Sequence, residues 1–207
     1  MEQMTFRNND MAWDIAALIL TPPDFDPKKT YPTIISVHPF GSCKEQTSGE
    51  VYGKRLADQG FVVIAYDASY QGESGGQPRW VEDPTQRVED VSHVIDYAVT
   101  LTYVDADRIG GIGICGGGGY ILSAALTEKR IKAVACQKVG AFGAYCDGME
   151  AYGRATASRD RQLVSLEDWS HSDLYDKQEP VSLAMDRMVP FLKQHVAGEA
   201  AQAKAAG

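Results

Sequence analysis

Solid apolar runs alternate along this chain with stretches whose apolar residues return every three or four positions. MAWDIAALILT (11–21), TIISVH (33–38), FVVIAYD (61–67), RIGGIGIC (108–115) and IKAVACQKV (131–139) are runs of the first kind and predict buried strands. The helical pattern covers 46–59, stopped by Gly60, and 87–101, where Val91, Val94, Ile95 and Ala98 share one face. It returns at 117–127 and in an amphipathic stretch at 179–196. After residue 139 the pattern blurs through AFGAYCDGMEAYGRATASRD, and QLVSL (162–166) predicts one more strand. Turn-rich PPDFDPKKTYP and the polar, glycine-rich ASYQGESGGQPRW lie between elements. Strands alternating with helices predict an α/β fold, a mostly parallel sheet flanked by helices. One domain over 1–196 and a frayed, Ala-rich tail over 197–207 are expected.

Composition narrows the partners rather than the chemistry. A net charge of −8 argues against nucleic acid or an anionic membrane as partner. The longest early apolar run, IAALIL, is too short to cross a bilayer, and MEQMTFRNND has no basic-then-apolar leader pattern. Cys43, Cys115, Cys136 and Cys146 show no C-x-x-C spacing, so neither a zinc site nor a redox pair is indicated. Reduced thiols and a cytoplasmic location are the expectation.

One turn satisfies two motifs at once. Gly111 to Gly116 spells G-x-G-x-x-G, the phosphate-cradling turn of dinucleotide folds, while Gly113 to Gly117 spells G-x-C-x-G, a turn that presents a nucleophile. A dinucleotide fingerprint belongs in the first β-α-β unit and needs an acid at the end of the next strand. Here the turn lies mid-chain, and IKAVACQKV carries no acid. No cofactor and no metal are expected. The nucleophile motif fits better: a strand precedes it, a helix follows, and Gly113, Gly116, Gly117 and Gly118 leave room around a strained Cys115. The alternative for Cys115 is a small buried packing residue.

Four stretches in order resemble the α/β-hydrolase superfamily: HPFG (38–41), DASYQGES (67–74), GICGG (113–117) and SHSDLYD (170–176). With cysteine at the turn, the chain looks most like the dienelactone hydrolase-like branch, which includes relatives of acetyl esterases and Xaa-Pro peptidases. The resemblance implies an α/β-hydrolase-like fold without a lid and a hydrolase acting on a small ester or lactone. It makes Cys115 the nucleophile and His171 its base, with the backbone N–H groups of Phe40 and Gly116 as the oxyanion hole. A thiolate is the reactive form of cysteine, and a helix N-terminus beside an imidazolium favours it.

The chain departs from this pattern after the nucleophile. One strand-helix unit is missing before His171, and no carboxylate stands where the family's third catalytic residue belongs. Asp147, Glu150, Asp160 and Asp168 are the candidates for that acid. The departure keeps a second function open: a degenerate hydrolase scaffold that binds a ligand or partner with little turnover. A missing unit also exposes a sheet edge, so a homodimer with its contact near 141–160 is expected. His38 reads as a loop-bonding residue, His93 and His195 as structural, and Asp67 and Glu73 as turn-stabilising.

Overall fold

The computed structural model describes residues 1–8, 10–137, 168–198 and, between the last two stretches, 160, 162, 164 and 166. Among these, six strands form one mixed sheet in the order β1-β2-β4-β3-β5-β6. They are β1 (Glu2–Phe6), β2 (Ile15–Leu20), β3 (Tyr31–Val37), β4 (Val62–Tyr66), β5 (Val104–Ile114) and β6 (Ile131–Gln137). Strands β4, β3, β5 and β6 run parallel, while β1 and β2 are antiparallel additions at one edge.

The solid apolar runs follow from this layering, because helices cover both faces of the inner strands. On one face Ile35, Val37, Val62, Ile64 and Tyr66 pack against Val91, Val94 and Ile95. Those three lie on the helix Pro84–Ala98 (α2), which is capped by Asp83 accepting from the N–H groups of Thr85 and Gln86. The helix Gly116–Ala125 (α3) adds Ile121 and Ala124 to the same face. On the other face Ile34, Val63, Ile112 and Ile114 meet Tyr52, Leu56, Val181, Met185 and Leu192. Tyr52 and Leu56 come from a π-helical segment, Thr47–Gly53, that runs into the short helix Lys54–Ala57 (α1). Val181 to Leu192 come from the helix Gln178–Leu192 (α5), preceded by the single turn Asp173–Asp176 (α4).

Two expectations change. Gln162, Val164 and Leu166 lie in neither strand nor helix, and Val164 is 44% exposed. The strand expected over 162–166 is not formed at these positions, and β6 is the last strand among the described residues. Conversely, EQMTF forms the edge strand β1, pairing Glu2 with Ile19 through Phe6 with Ile15. Phe6 stacks on Tyr97 of α2 with ring centroids 4.3 Å apart. The expected tail lies outside the described residues beyond Gly198, as does the stretch 141–159.

Candidate active site

Strand β5 ends in a strained turn. Cys115 adopts φ 55° and ψ −121° before α3 begins at Gly116. A non-glycine residue in this region carries about 1–3 kcal/mol of strain, so its surroundings must hold it there. They do so through Cys115 N–H donating to the Gln137 carbonyl at 3.0 Å and accepting through its own carbonyl from Gly118 N–H at 3.0 Å. The flanking glycines are there for space. A Cβ on Gly113 would strike the Gly117 carbonyl and lie 2.5 Å from Gly118 Cα. One on Gly117 would strike the Val37 carbonyl oxygen and lie 2.8 Å from that of His38.

The loop leaving β3 meets this turn. A Cβ on Gly116 would lie 3.5 Å from both the amide nitrogen and the Cβ of Phe40, so the two main chains approach closely. The Phe40 side chain is 66% exposed; its backbone is what faces the turn.

The Phe40 backbone is held by His38. Ala68 N–H donates to His38 Nε2 at 3.1 Å, which leaves the ring proton on Nδ1. Nδ1–H then donates to the Pro39 carbonyl at 2.7 Å, in the same peptide unit as Phe40 N–H. Buried Arg87 donates to the His38 carbonyl at 2.6 Å and lies 3.3 Å from both ring nitrogens. Its guanidinium also sits 4.7 Å above the Tyr120 ring. Burial first, and the Arg87 charge second, lower the His38 pKa to about 3. His38 is neutral and fixes the loop, as expected from its position.

A second tie joins the loops after β3 and β4. Buried Lys44 Nζ donates to Asp67 (2.8 Å), Glu73 (2.7 Å) and Glu45 (2.6 Å), and Lys44 N–H to the other Asp67 oxygen at 2.8 Å. Burial alone would lower the ammonium pKa, but these carboxylates outweigh it and raise it. Asp67 and Glu73 are turn-stabilising residues. Ligand atoms of Cys43, Glu45 and Asp67 lie within 4.8 Å of one another, but two of the three already serve the lysine ammonium. A metal ion there would have to displace a paired cation.

His171 arrives before α4. Tyr52 Oη donates to the Leu174 carbonyl at 2.9 Å and pins this segment to the helix beyond the β3 loop. The Tyr175 hydroxyl lies 3.3 Å from His171 Nε2, and burial first and the Cys115 thiol second raise its pKa, which puts the hydroxyl in the neighbourhood of that sulfur. Cys115 and His171 are therefore brought to a common neighbour, and that neighbour was not among the residues singled out from the sequence. Its signal was the four-residue spacing from His171, one turn of helix.

The acid candidates fare differently. Asp147 and Glu150 lie outside the described residues. Asp160 Oδ2 is 2.9 Å from His195 Nε2, and Asp168 is exposed at φ 70°. Buried Asp90 is engaged elsewhere, accepting from Ser69 N–H and Oγ, each at 2.7 Å, and from Gln86. Burial raises its pKa although these bonds oppose the rise.

A mixed sheet with helices on both faces and a strained residue between a central parallel strand and its helix defines the α/β-hydrolase fold. The chain belongs to the X-Pro dipeptidyl-peptidase (S15) family, whose model matches residues 13–204. Among curated relatives, YcjY of Escherichia coli K12 is 53% identical over 133 residues, covering 64% of this chain and 43% of that protein. The crystal structure of PA2218 from Pseudomonas aeruginosa shares 42% identity at TM-score 0.59, over 65% of this chain and 41% of that one. The α/β hydrolase GrgF from Penicillium shows the same fold over 91% of this chain and 66% of its own, with TM-score 0.59 at 20% identity. This chain thus spans less than half the length of its first curated relatives. Among the described residues no helix is long and apolar enough to cross a membrane.

Proposed function

We propose that this chain is a cysteine-dependent hydrolase of a small ester or lactone. The observation that carries the reading is the strained Cys115 at the start of α3, with the Phe40 backbone against Gly116. In this reading Cys115 Sγ attacks the acyl carbon, and the carbonyl oxygen becomes an oxyanion. The N–H groups of Phe40 and Gly116 stabilise it, and the α3 N-terminus adds its positive potential. His171 takes the thiol proton and returns it to the departing alkoxide; water then hydrolyses the thioester. No cofactor is needed for these steps.

The family match supports a second substrate class, a peptide bond after an Xaa-Pro dipeptide. An amine is a poorer leaving group than an alkoxide and needs its proton earlier, so the two classes separate kinetically. The test is incubation with p-nitrophenyl butyrate and with alanyl-prolyl p-nitroanilide, followed by intact mass analysis. The ester is expected to leave a butyryl adduct on Cys115 and to turn over. Turnover that survives Cys115→Ala removes the nucleophile assignment, and faster release from the anilide than from the ester moves the substrate to peptides.

A further inference from the structure

The reading above uses Cys115 and His171, yet a third side chain lies against His171 and within the influence of Cys115. Tyr175 is half-buried, with its hydroxyl 3.3 Å from His171 Nε2 and close enough to the Cys115 thiol to feel its charge. Its ring lies edge-on to the imidazole, with centroids 5.3 Å apart and planes at 74°. Leu174, the preceding residue, is buried, and its carbonyl is held by Tyr52. Tyr175 is thus presented from an anchored turn. We propose that Tyr175 is a catalytic residue whose hydroxyl relays the proton between the Cys115 thiol and His171, and from His171 to the departing group.

This inference rests on the proposed cysteine–histidine chemistry and deepens it. A phenol both donates and accepts, so it is suited to stand between a thiol and an imidazole. In the forward direction the S–H proton passes to Tyr175 Oη as the Oη–H proton passes to His171 Nε2. The products are a thiolate, a neutral phenol and an imidazolium. The S–C bond then forms at the acyl carbon, and the C–O bond breaks with its electron pair on the leaving oxygen. That oxygen takes a proton from Tyr175 Oη, which regains one from His171 Nε2. Burial first, then the neighbouring Cys115 thiol, raise the Tyr175 pKa, so the residue stays a phenol between transfers. Two protons move together in each direction, where a direct thiol–imidazole pair would move one.

That difference is measurable without a variant. A proton inventory of kcat/KM for methyl butyrate, in mixtures of light and heavy water, is expected to be bowl-shaped for the unaltered protein. In Tyr175→Phe it is expected to become linear. The same variant is expected to lose at least twentyfold on methyl butyrate, whose leaving group needs a proton, but under fivefold on p-nitrophenyl butyrate, whose leaving group does not. A tyrosine that only packs would lower both substrates by the same factor. A linear inventory in the unaltered protein, or equal losses on the two esters, overturns the relay. If Tyr175→Phe does not fold, the inventory of the unaltered protein decides alone. Ester turnover that survives Cys115→Ala points instead to failure of the underlying cysteine chemistry, because the relay has no role without that thiol.

Discussion

His38 Nδ1 donates to the Pro39 carbonyl at 2.7 Å, and that carbonyl shares a rigid peptide plane with the N–H of Phe40. A buried imidazole therefore orients a backbone donor that belongs to a different residue. Replacing His38 by Ala frees the plane to rotate and leaves the Ala68 N–H unpartnered. We expect kcat for an activated ester to fall at least tenfold, about 1.4 kcal/mol, with KM changed less than threefold. Steady-state kinetics of the folded variant check this split.

The same histidine sets an acid-stability limit. An unfolded histidine titrates near 6.5, whereas burial and Arg87 hold the folded value at about 3. Between these values the unfolded chain binds a proton that the folded chain refuses, so stability falls as pH falls through that window. The His38 contribution is about 2 kcal/mol lost between pH 7 and pH 5. Denaturant unfolding at both pH values should show it in the unaltered protein and not in His38→Gln. Asp90, whose folded pKa is raised, acts in the opposite direction and cancels in that comparison.

Gly117 has no room for a methyl group, because the atoms in the way are the Val37 and His38 carbonyl oxygens. Main chain at the centre of a sheet does not move aside cheaply. Gly117→Ala is expected to cost about 2–3 kcal/mol and to displace the Cys115 turn. Thermal unfolding and the alkylation rate of Cys115 by iodoacetamide should both change.

Cys115→Ser should lose at least a thousandfold on p-nitrophenyl butyrate. A hydroxyl stays protonated and needs a strong, oriented base, whereas a thiol ionises with far less help from a carboxylate behind the imidazole. Neutralising Asp147, Glu150, Asp160 or Asp168 singly should therefore each cost under tenfold, measured as kcat/KM.

Strand β6 is an edge among the described residues, with Lys132 and Cys136 exposed on it. An open parallel edge invites pairing, and self-association to a homodimer is expected. Light scattering should give twice 22.6 kDa; a value of 22.6 kDa at micromolar concentration removes the dimer.

Much of this fold was legible because strands buried on both faces must be apolar throughout: the runs of β2, β3, β4 and the second half of β5 stand out at once. Strand β1 did not, because EQMTF has one buried residue, Phe6, and its partner strand supplies the rest. The Cys115 turn was legible for steric reasons, since a strained residue needs glycines around it at fixed offsets. Arg87 was harder. It lies four and seven residues before Val91 and Val94, on the apolar stripe of α2, and a cation there signals a buried partner whose identity only the fold reveals. Tyr175 was hidden for a related reason: spacing places it near His171, but its relation to Cys115 depends on how Tyr52 anchors the Leu174 carbonyl, which the sequence does not show.

Phe40 divides its duties between main chain and side chain. The amide sits against Gly116, while the ring is turned to solvent. Any L-residue except proline supplies the same N–H, so position 40 is open to change without removing the donor beside the turn. The Phe40 Cβ approaches Gly116 beside the Cys115 turn, so a change of side chain at this position alters the surface next to that turn. Selectivity can therefore be tuned at this position independently of rate, which makes it the natural first site for a substitution library aimed at new substrates.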